Sequence, residues 1–332
     1  MADNLFSIES PTGENIQIPL DVDDGNDVYL NLKTDADIRK YYDDNGYVIV
    51  RNLIPKELCD QARANFEKEV KPYEGYIYRQ ATANPEKHRF TKNNFMVNSI
   101  LNVQSLNKNL FPNFREIGMK VLTTDKIKYI LKVLMDDDPK LTQSMYFEGN
   151  PATWAHQDSY YLDSSELGRM VAVWIAVEDI QPGAGRFYVY PTSHKIDLKK
   201  NGGNFDVAFH HDLYKQLIKD IIKKFNLKCE APALRKGDAF FWHSKTIHGS
   251  LVTAQPQYSR SSFTGHYIPE KTQFLQFQSV IKPLQLDKVN GINVNFPKDL
   301  NKLKNRIILK VETTFPKSFQ FAKRVAIKMV TK

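Results

Sequence analysis

Two residues of different ligand chemistry stand two positions apart in the stretch Trp154-Ala-His-Gln-Asp-Ser-Tyr-Tyr161: the imidazole of His156 and the carboxylate of Asp158. The sequence predicts a β-strand here, and on a strand both side chains leave one face. An imidazole and a carboxylate presented together are two ligands for a divalent metal. A second histidine completes the 2-His-1-carboxylate facial triad used by non-haem Fe(II) oxygenases. His248 is the best third ligand, because Gly249 behind it lets backbone come close to a bound ion or cosubstrate. His243 competes, but a polar turn follows it. A His-x-Asp pair is weak by itself in a chain with 8 histidines, where it also fits a surface strand or a satisfied polar pair. The surrounding elements must therefore support it.

Those elements change character near Pro139. Before it, residues 1–33 are polar, without a sustained period, and read as an N-terminal arm carrying one short strand. The rest, 34–332, reads as one domain. Thr34-Asp-Ala-Asp caps a helix that Gly46 ends, Tyr47-Val-Ile-Val is a β-branched strand, and Pro55 opens a second helix. Residues 72–94 carry Tyr73, Tyr76, Tyr78, His88, Arg89 and Lys92 without periodicity, a mix that suits a lid over a site or a solvated loop. Residues 95–134 read as mostly helical.

After Pro139 come short β-rich runs at 141–147, 154–161, 170–177, 186–189, 239–242 and 261–267, separated by Gly, Pro and Asn turns. Such a series predicts a sandwich or jelly roll over about residues 140–270. One helical insertion interrupts it at 211–225, with Leu213, Leu217, Ile218, Ile221, Ile222 and Phe225 as an apolar stripe. A basic C-terminal extension covers about 280–332.

Composition excludes several classes. The 332 residues are 42% hydrophobic and 25% charged, as in an ordinary globular protein. There is no signal-like N-terminus and no apolar run of membrane-spanning length. Cys59 and Cys229 alone make no disulfide framework, and a soluble cytoplasmic protein is expected. The net charge of +8 lies in the tail, where Lys302–Lys332 holds nine Lys and Arg against Glu312 alone. These charges alternate with Ile307, Ile308, Leu309, Val311, Phe315, Phe319, Phe321, Val325 and Ile327, so packed terminal elements with a solvated face are predicted in preference to the alternative, a basic tail that binds nucleic acid or acidic lipid. No nucleic-acid partner and no membrane span is expected.

The ordered set Asn45-Gly-Tyr-Val-Ile-Val50, His156-Gln-Asp158, Trp174, Pro191-Thr-Ser-His-Lys195, His248-Gly-Ser250, Arg260 and His266-Tyr267 resembles the phytanoyl-CoA dioxygenase family of Fe(II)- and 2-oxoglutarate-dependent oxygenases. The resemblance spans most of the chain. It implies a double-stranded β-helix, a jelly-roll or cupin-like β core buttressed by helices, with O2 and 2-oxoglutarate as cosubstrates. Carried over by position, His156, Asp158 and His248 look like the iron ligands and Arg260 like the partner of the far carboxylate of 2-oxoglutarate. A guanidinium fork suits that carboxylate. Ser250 looks like a hydroxyl assisting the salt link, Gln143 like an amide donor to the cosubstrate, and Trp174 like a pocket wall. Each has a plain structural alternative as a turn, backbone-satisfying or core residue.

The implied reaction couples decarboxylation of the keto acid, with release of succinate and CO2, to hydroxylation, cyclisation or desaturation at a substrate C–H bond. Asp158 argues against halogenation, since related halogenases have a small residue there. The chain departs from the family pattern at Gly183-Ala-Gly-Arg-Phe187 and at Thr192. Arg186, Arg89, Tyr160 and Tyr161, with Lys92 and Arg169, are the candidates for binding a small anionic substrate. The rival function is a non-catalytic, metal-containing jelly-roll binding protein.

Overall fold

A computed structural model describes residues 4–22, 27–206, 210–319 and 321. Its largest sheet runs, in spatial order, Leu286–Val289, Ile292–Asn295, Pro139–Phe147, Ser262–Pro269, Val171–Ala176, Ala239–His243 and Tyr47–Val50, with Ile100–Leu101 added beside Pro139–Phe147. Pairing is antiparallel except where Ile292–Asn295 runs parallel to Pro139–Phe147. Facing it are shorter ladders, Phe187–Val189 with His248–Ser250 and Leu162–Ser164 with Phe274–Gln276. The two layers form the double-stranded β-helix core.

Strand alternation divides the large sheet into two faces. Val173, Ile175, Phe241, Phe263 and Tyr267 join one core cluster with the helices Lys56–Asn65, Pro112–Leu122 and Asp125–Met135. Ala172, Trp174, Ala176, Phe240 and Trp242 join another that faces the inside of the β-helix. Cross-strand register builds the inner floor in rows. Gln143, His266, Ala172, Trp242 and Tyr47 make one row, and Met145, Thr264, Trp174, Phe240 and Ile49 the next. A register shift between His266 and Tyr267 opposite Leu141–Gln143 lies at the end of the first row. Bulges of this kind re-aim side chains beside sites.

Several expectations are corrected. The N-terminal arm is a two-strand hairpin, Leu5–Glu9 with Asn15–Pro19, held by burial of Ile8 and Ile18. Within 95–134, α-helix is confined to Pro112–Leu122 and Asp125–Met135, with a single 3-10 turn at Val103–Ser105. The insertion helix His211–Lys224 buries Tyr214, Ile218, Ile221 and Ile222, while Leu213 and Phe225 of the predicted stripe are exposed. Segment 72–94 is anchored by a fully buried Arg79, which donates to the carbonyls of Asn98 and Glu86, and by pairing of Ile77–Tyr78 with Pro85–Glu86.

The C-terminal extension divides in two. Ile292 and Val294 are buried in the main sheet. The helix Leu303–Thr314 instead buries Glu312 and only half-buries Ile308 and Leu309, while Ile307 and Val311 of the same predicted apolar set are exposed. Lys323, Arg324, Val325, Ile327, Lys328 and Lys332 lie outside the described residues.

Candidate active site

The predicted strand at Trp154–Tyr161 is absent. His156 instead forms a single antiparallel bridge with His248, each N–H donating to the other's carbonyl at 3.0 and 2.9 Å. Asp158 begins a 3-10 turn, Asp158–Tyr160. The bridge brings the two imidazole rings to 4.4 Å between centroids, and the turn directs the carboxylate at both. Geometry other than a strand thus gathers the same three side chains, whose ligand atoms lie within 4.8 Å of one another.

The hydrogen bonds fix how the imidazoles face the centre. His156 Nδ1 lies 2.9 Å from the Trp154 carbonyl and His248 Nδ1 2.9 Å from the Thr246 carbonyl. A carbonyl only accepts, so each Nδ1 carries a proton, and Nε2 is the nitrogen of each ring that can offer a lone pair to a metal. Those Nε2 atoms stand 3.5 and 3.6 Å from Asp158 Oδ1. Burial pushes His248 down to about 4, against the attraction of Asp158, so it is neutral near pH 7. Burial opposes the charge on Asp158, but the surrounding imidazoles of His248, His156 and His266 outweigh it and hold the carboxyl well below the ordinary range. Two imidazole Nε2 atoms and one carboxylate oxygen gathered within 4.8 Å suit a divalent metal.

Two residues that had no expected role grip the other carboxylate oxygen. Trp242 Nε1 donates to Asp158 Oδ2 at 2.8 Å, and His266 Nε2 lies 3.5 Å from the same atom. Their signal was the alternation of the strands Ala239–His243 and Ser262–Pro269, which turns both toward the interior. His243 belongs to the opposite face by the same parity, beside Tyr42 at 6.1 Å, and its Nδ1 accepts from the Lys245 N–H. It is not part of the constellation.

Arg260 is buried, at 2% exposure, and its guanidinium lies 5.8 Å from the Trp174 ring and 5.6 Å from the Phe147 ring. Among the described residues its Nε has no hydrogen-bond partner, and burial alone pushes the group down to about 10. Thr264 Oγ1 and His266 Nδ1 are likewise buried and unpartnered. The amide nitrogen of Gln143, across from His266, reaches only the Met145 sulfur at 4.0 Å. Buried polar groups without partners are uncommon and call for an explanation. Others are scattered through the fold, but Arg260 Nε, Thr264 Oγ1 and His266 Nδ1 lie together beside three metal-competent ligands, where an acidic, oxygen-rich small molecule would engage them. Thr264 was not singled out from sequence, because a threonine in a β-rich run carries no distinguishing signal.

The remaining candidates separate. Ser250 is already engaged, donating to Asn150 Oδ1 at 2.9 Å and accepting from the Thr153 N–H at 2.8 Å, so it fastens the loop before His156. Tyr161 stands 6.1 Å from the His156 ring, its hydroxyl 2.9 Å from His211 Nε2. Tyr160 packs on Tyr214 at 4.6 Å. Arg186 is corrected: it is 1% exposed and donates to the carbonyls of Ile180, Pro19 and Leu20, clamping the N-terminal hairpin. Arg89 is exposed and 3.7 Å from Glu86. Lys92 is exposed, and Arg169 donates to the Met135 carbonyl on the helical side.

Comparison with known proteins agrees with this geometry. The profile of the phytanoyl-CoA dioxygenase (PhyH) family matches residues 42–259. The chain is 25% identical over 279 residues to phytanoyl-CoA dioxygenase domain-containing protein 1 of Danio rerio, covering 71% of this chain and 90% of that one. It is 27% identical over 226 residues to the peroxisomal phytanoyl-CoA dioxygenase of Homo sapiens, covering 64% of this chain and 62% of that protein's length. Among solved structures, the non-haem alpha-ketoglutarate-dependent carbocyclase SnoK matches with a TM-score of 0.53 at 18% identity, over 74% of this chain and 87% of that one. EctD from S. alaskensis with 2-oxoglutarate and 5-hydroxyectoine matches with a TM-score of 0.52 at 14% identity, over 79% and 85%. At those identities the likeness is one of fold.

Proposed function

We infer the reaction of this chain from one premise: it belongs to the phytanoyl-CoA dioxygenase family. It is a non-haem Fe(II)- and 2-oxoglutarate-dependent dioxygenase, and we propose that His156, Asp158 and His248 hold the iron while Arg260 takes the far carboxylate of 2-oxoglutarate. The observation that carries this reading is the buried Arg260 guanidinium, with no anionic partner among the described residues, lying over Trp174 on the floor beside the triad. A purely structural metal in a binding protein has no use for such a cation.

The residues divide the work. Trp242 and His266 fix Asp158 through Oδ2 and so leave Oδ1 toward the metal, an orientation such supporting partners typically supply. The Nδ1–H bonds to Trp154 and Thr246 keep both imidazoles in the metal-binding tautomer. Gln143 and Thr264 offer an amide and a hydroxyl to the cosubstrate, and Trp174 and Phe147 keep water from the Arg260 pair, where low dielectric strengthens it. Bound iron supplies the redox chemistry that couples decarboxylation to succinate and CO2 with oxidation of a substrate C–H bond.

The substrate is a small molecule. We propose hydroxylation, or oxidative cyclisation or desaturation, of an anionic compound that passes Trp154, Tyr161 and His211. Lys215 Nζ, 5.3 Å from the Trp154 ring centroid, supports an anion there now that Arg186 is committed elsewhere. Free Cys59 and Cys229 support a reducing, cytoplasmic setting. Anaerobic addition of Fe(II) and 2-oxoglutarate should give a visible metal-to-ligand charge-transfer band and, with O2, succinate. His248→Ala should lose both and His243→Ala should keep both; the opposite pattern overturns the ligand assignment.

A further inference from the structure

The helix Leu303–Thr314 turns its apolar residues outward. Leu303, Ile307 and Val311 recur one turn apart on a single face and are 64%, 54% and 43% exposed, and Phe315 at the helix end is 60% exposed. The opposite side holds Glu312, 4% exposed, whose Oε2 accepts from the Tyr78 hydroxyl at 2.9 Å, together with half-buried Ile308 and Leu309. An exposed stripe of large aliphatic residues on a terminal helix is a surface that needs a covering partner.

The charges bordering the stripe say which partner. At helical spacing Lys304 flanks it on one side and Arg306 and Lys310 on the other, all exposed, and Lys302 and Lys317 lie at its ends. Glu312, the only acidic residue from Lys302 to Lys332, is the one turned inward to Tyr78. The outward face is therefore apolar along its centre and cationic along its edges, with no carboxylate. A second copy of this chain would bring like charges together along both borders. A bilayer with anionic headgroups satisfies both features at once, because the stripe enters the headgroup boundary while the lysine stems reach the phosphates. No helix among the described residues is long and apolar enough to cross a membrane, so the contact lies in the plane of the surface.

We propose that the Leu303–Thr314 helix is a peripheral anchor that docks the enzyme on anionic lipid surfaces. The test is sedimentation of the full chain with vesicles of phosphatidylcholine alone and of phosphatidylcholine mixed with phosphatidylserine. The protein should partition to the mixed vesicles, stay in solution with phosphatidylcholine alone, and be released by raised salt. The double variant Ile307→Asp/Val311→Asp should abolish partition, and Lys304→Ala/Lys310→Ala should weaken it roughly fivefold for each charge removed. Since all four side chains are exposed, both variants should keep the circular dichroism spectrum and succinate formation of the parent. Three results would overturn the proposal. One is failure of the parent protein to bind the mixed vesicles. Another is binding that the aspartate pair leaves intact. The third is a concentration-dependent dimer, seen by light scattering without vesicles, that the aspartate pair dissociates.

Discussion

Arg186 and Arg260 are chemically alike and nearly equally buried, at 1% and 2% exposure, and burial pushes both down to about 10. They differ in what surrounds the guanidinium. Arg186 gives its Nε and both terminal nitrogens to the carbonyls of Ile180, Pro19 and Leu20, and so joins the N-terminal hairpin to the β-helix. Arg260 has two aromatic faces and an orphaned Nε. A buried cation whose donors are filled by the protein is part of the scaffold. One whose donors are left open is what the proposed contact with 2-oxoglutarate calls for, since an uncompensated buried polar group otherwise only costs stability. Arg79, filled by the Asn98 and Glu86 carbonyls, falls with Arg186.

The contrast predicts effects of opposite sign. Arg260→Met should weaken 2-oxoglutarate binding by roughly 10- to 150-fold, the equivalent of a lost charge-assisted contact of about 1.5–3 kcal/mol. It should also leave the ligand-free protein as stable or more stable, because an unpaired buried charge is removed. Arg186→Met should do the reverse: about 3 kcal/mol lost in urea unfolding from carbonyls left without donors, with 2-oxoglutarate affinity unchanged. Titration of the charge-transfer band and urea melts on both variants measure this. Equal losses of stability in the two variants would dissolve the distinction.

A smaller effect probes the metal end of the same floor. Trp242→Phe keeps the ring against Phe187 and His248 but removes the N–H held by Asp158 Oδ2. Iron affinity should fall about tenfold, the low end for loss of a supporting hydrogen bond, with 2-oxoglutarate affinity at saturating iron little changed. Isothermal titration with Fe(II) under anaerobic conditions reads it.

How much of this was legible follows from the range of each signal. The three candidate ligands, Arg260 and Trp174 stand in local motifs in a fixed order, which is why they could be singled out before the fold was known. The strand expected under His156 and Asp158 was wrong although its consequence held, because a bridge to His248 and a 3-10 turn bring the side chains together as a strand face would have done. Arg186 was misread because its partners are backbone carbonyls of a distant hairpin, and carbonyls leave no trace in residue type. Trp242, His266 and Thr264 reach the candidate site by register across strands, which only the assembled sheet fixes. The tail was misread for a third reason. Alternation of charge with apolar residues looks the same whether the apolar side faces the core or the outside.

Two buried histidines of neighbouring segments extend the comparison to pH. His248 is one of the candidate metal ligands; His243, on the helix-packed face of the large sheet, is pushed down to about 3 by burial and by nearby His194 and Lys245. Its usual value in an unfolded chain is about 6.5. Above that value neither state holds a proton at His243 and stability is unaffected. As pH falls from about 6.5 toward 3, the unfolded chain takes up the proton while the native imidazole stays neutral, so stability is lost through that window. His88, pushed down to about 4 by burial, acts in the same direction. His243→Gln retains an acceptor for the Lys245 N–H and removes one titrating group. It should leave stability at pH 7.5 almost unchanged and reduce the slope of unfolding free energy near pH 5 by about 1.4 kcal/mol per pH unit, one proton's worth. Fe(II) should not alter that difference, because the face that carries His243 is not the one that meets the metal. A slope in the variant equal to the parent's, or a difference that vanishes with iron, would put His243 in communication with the site after all.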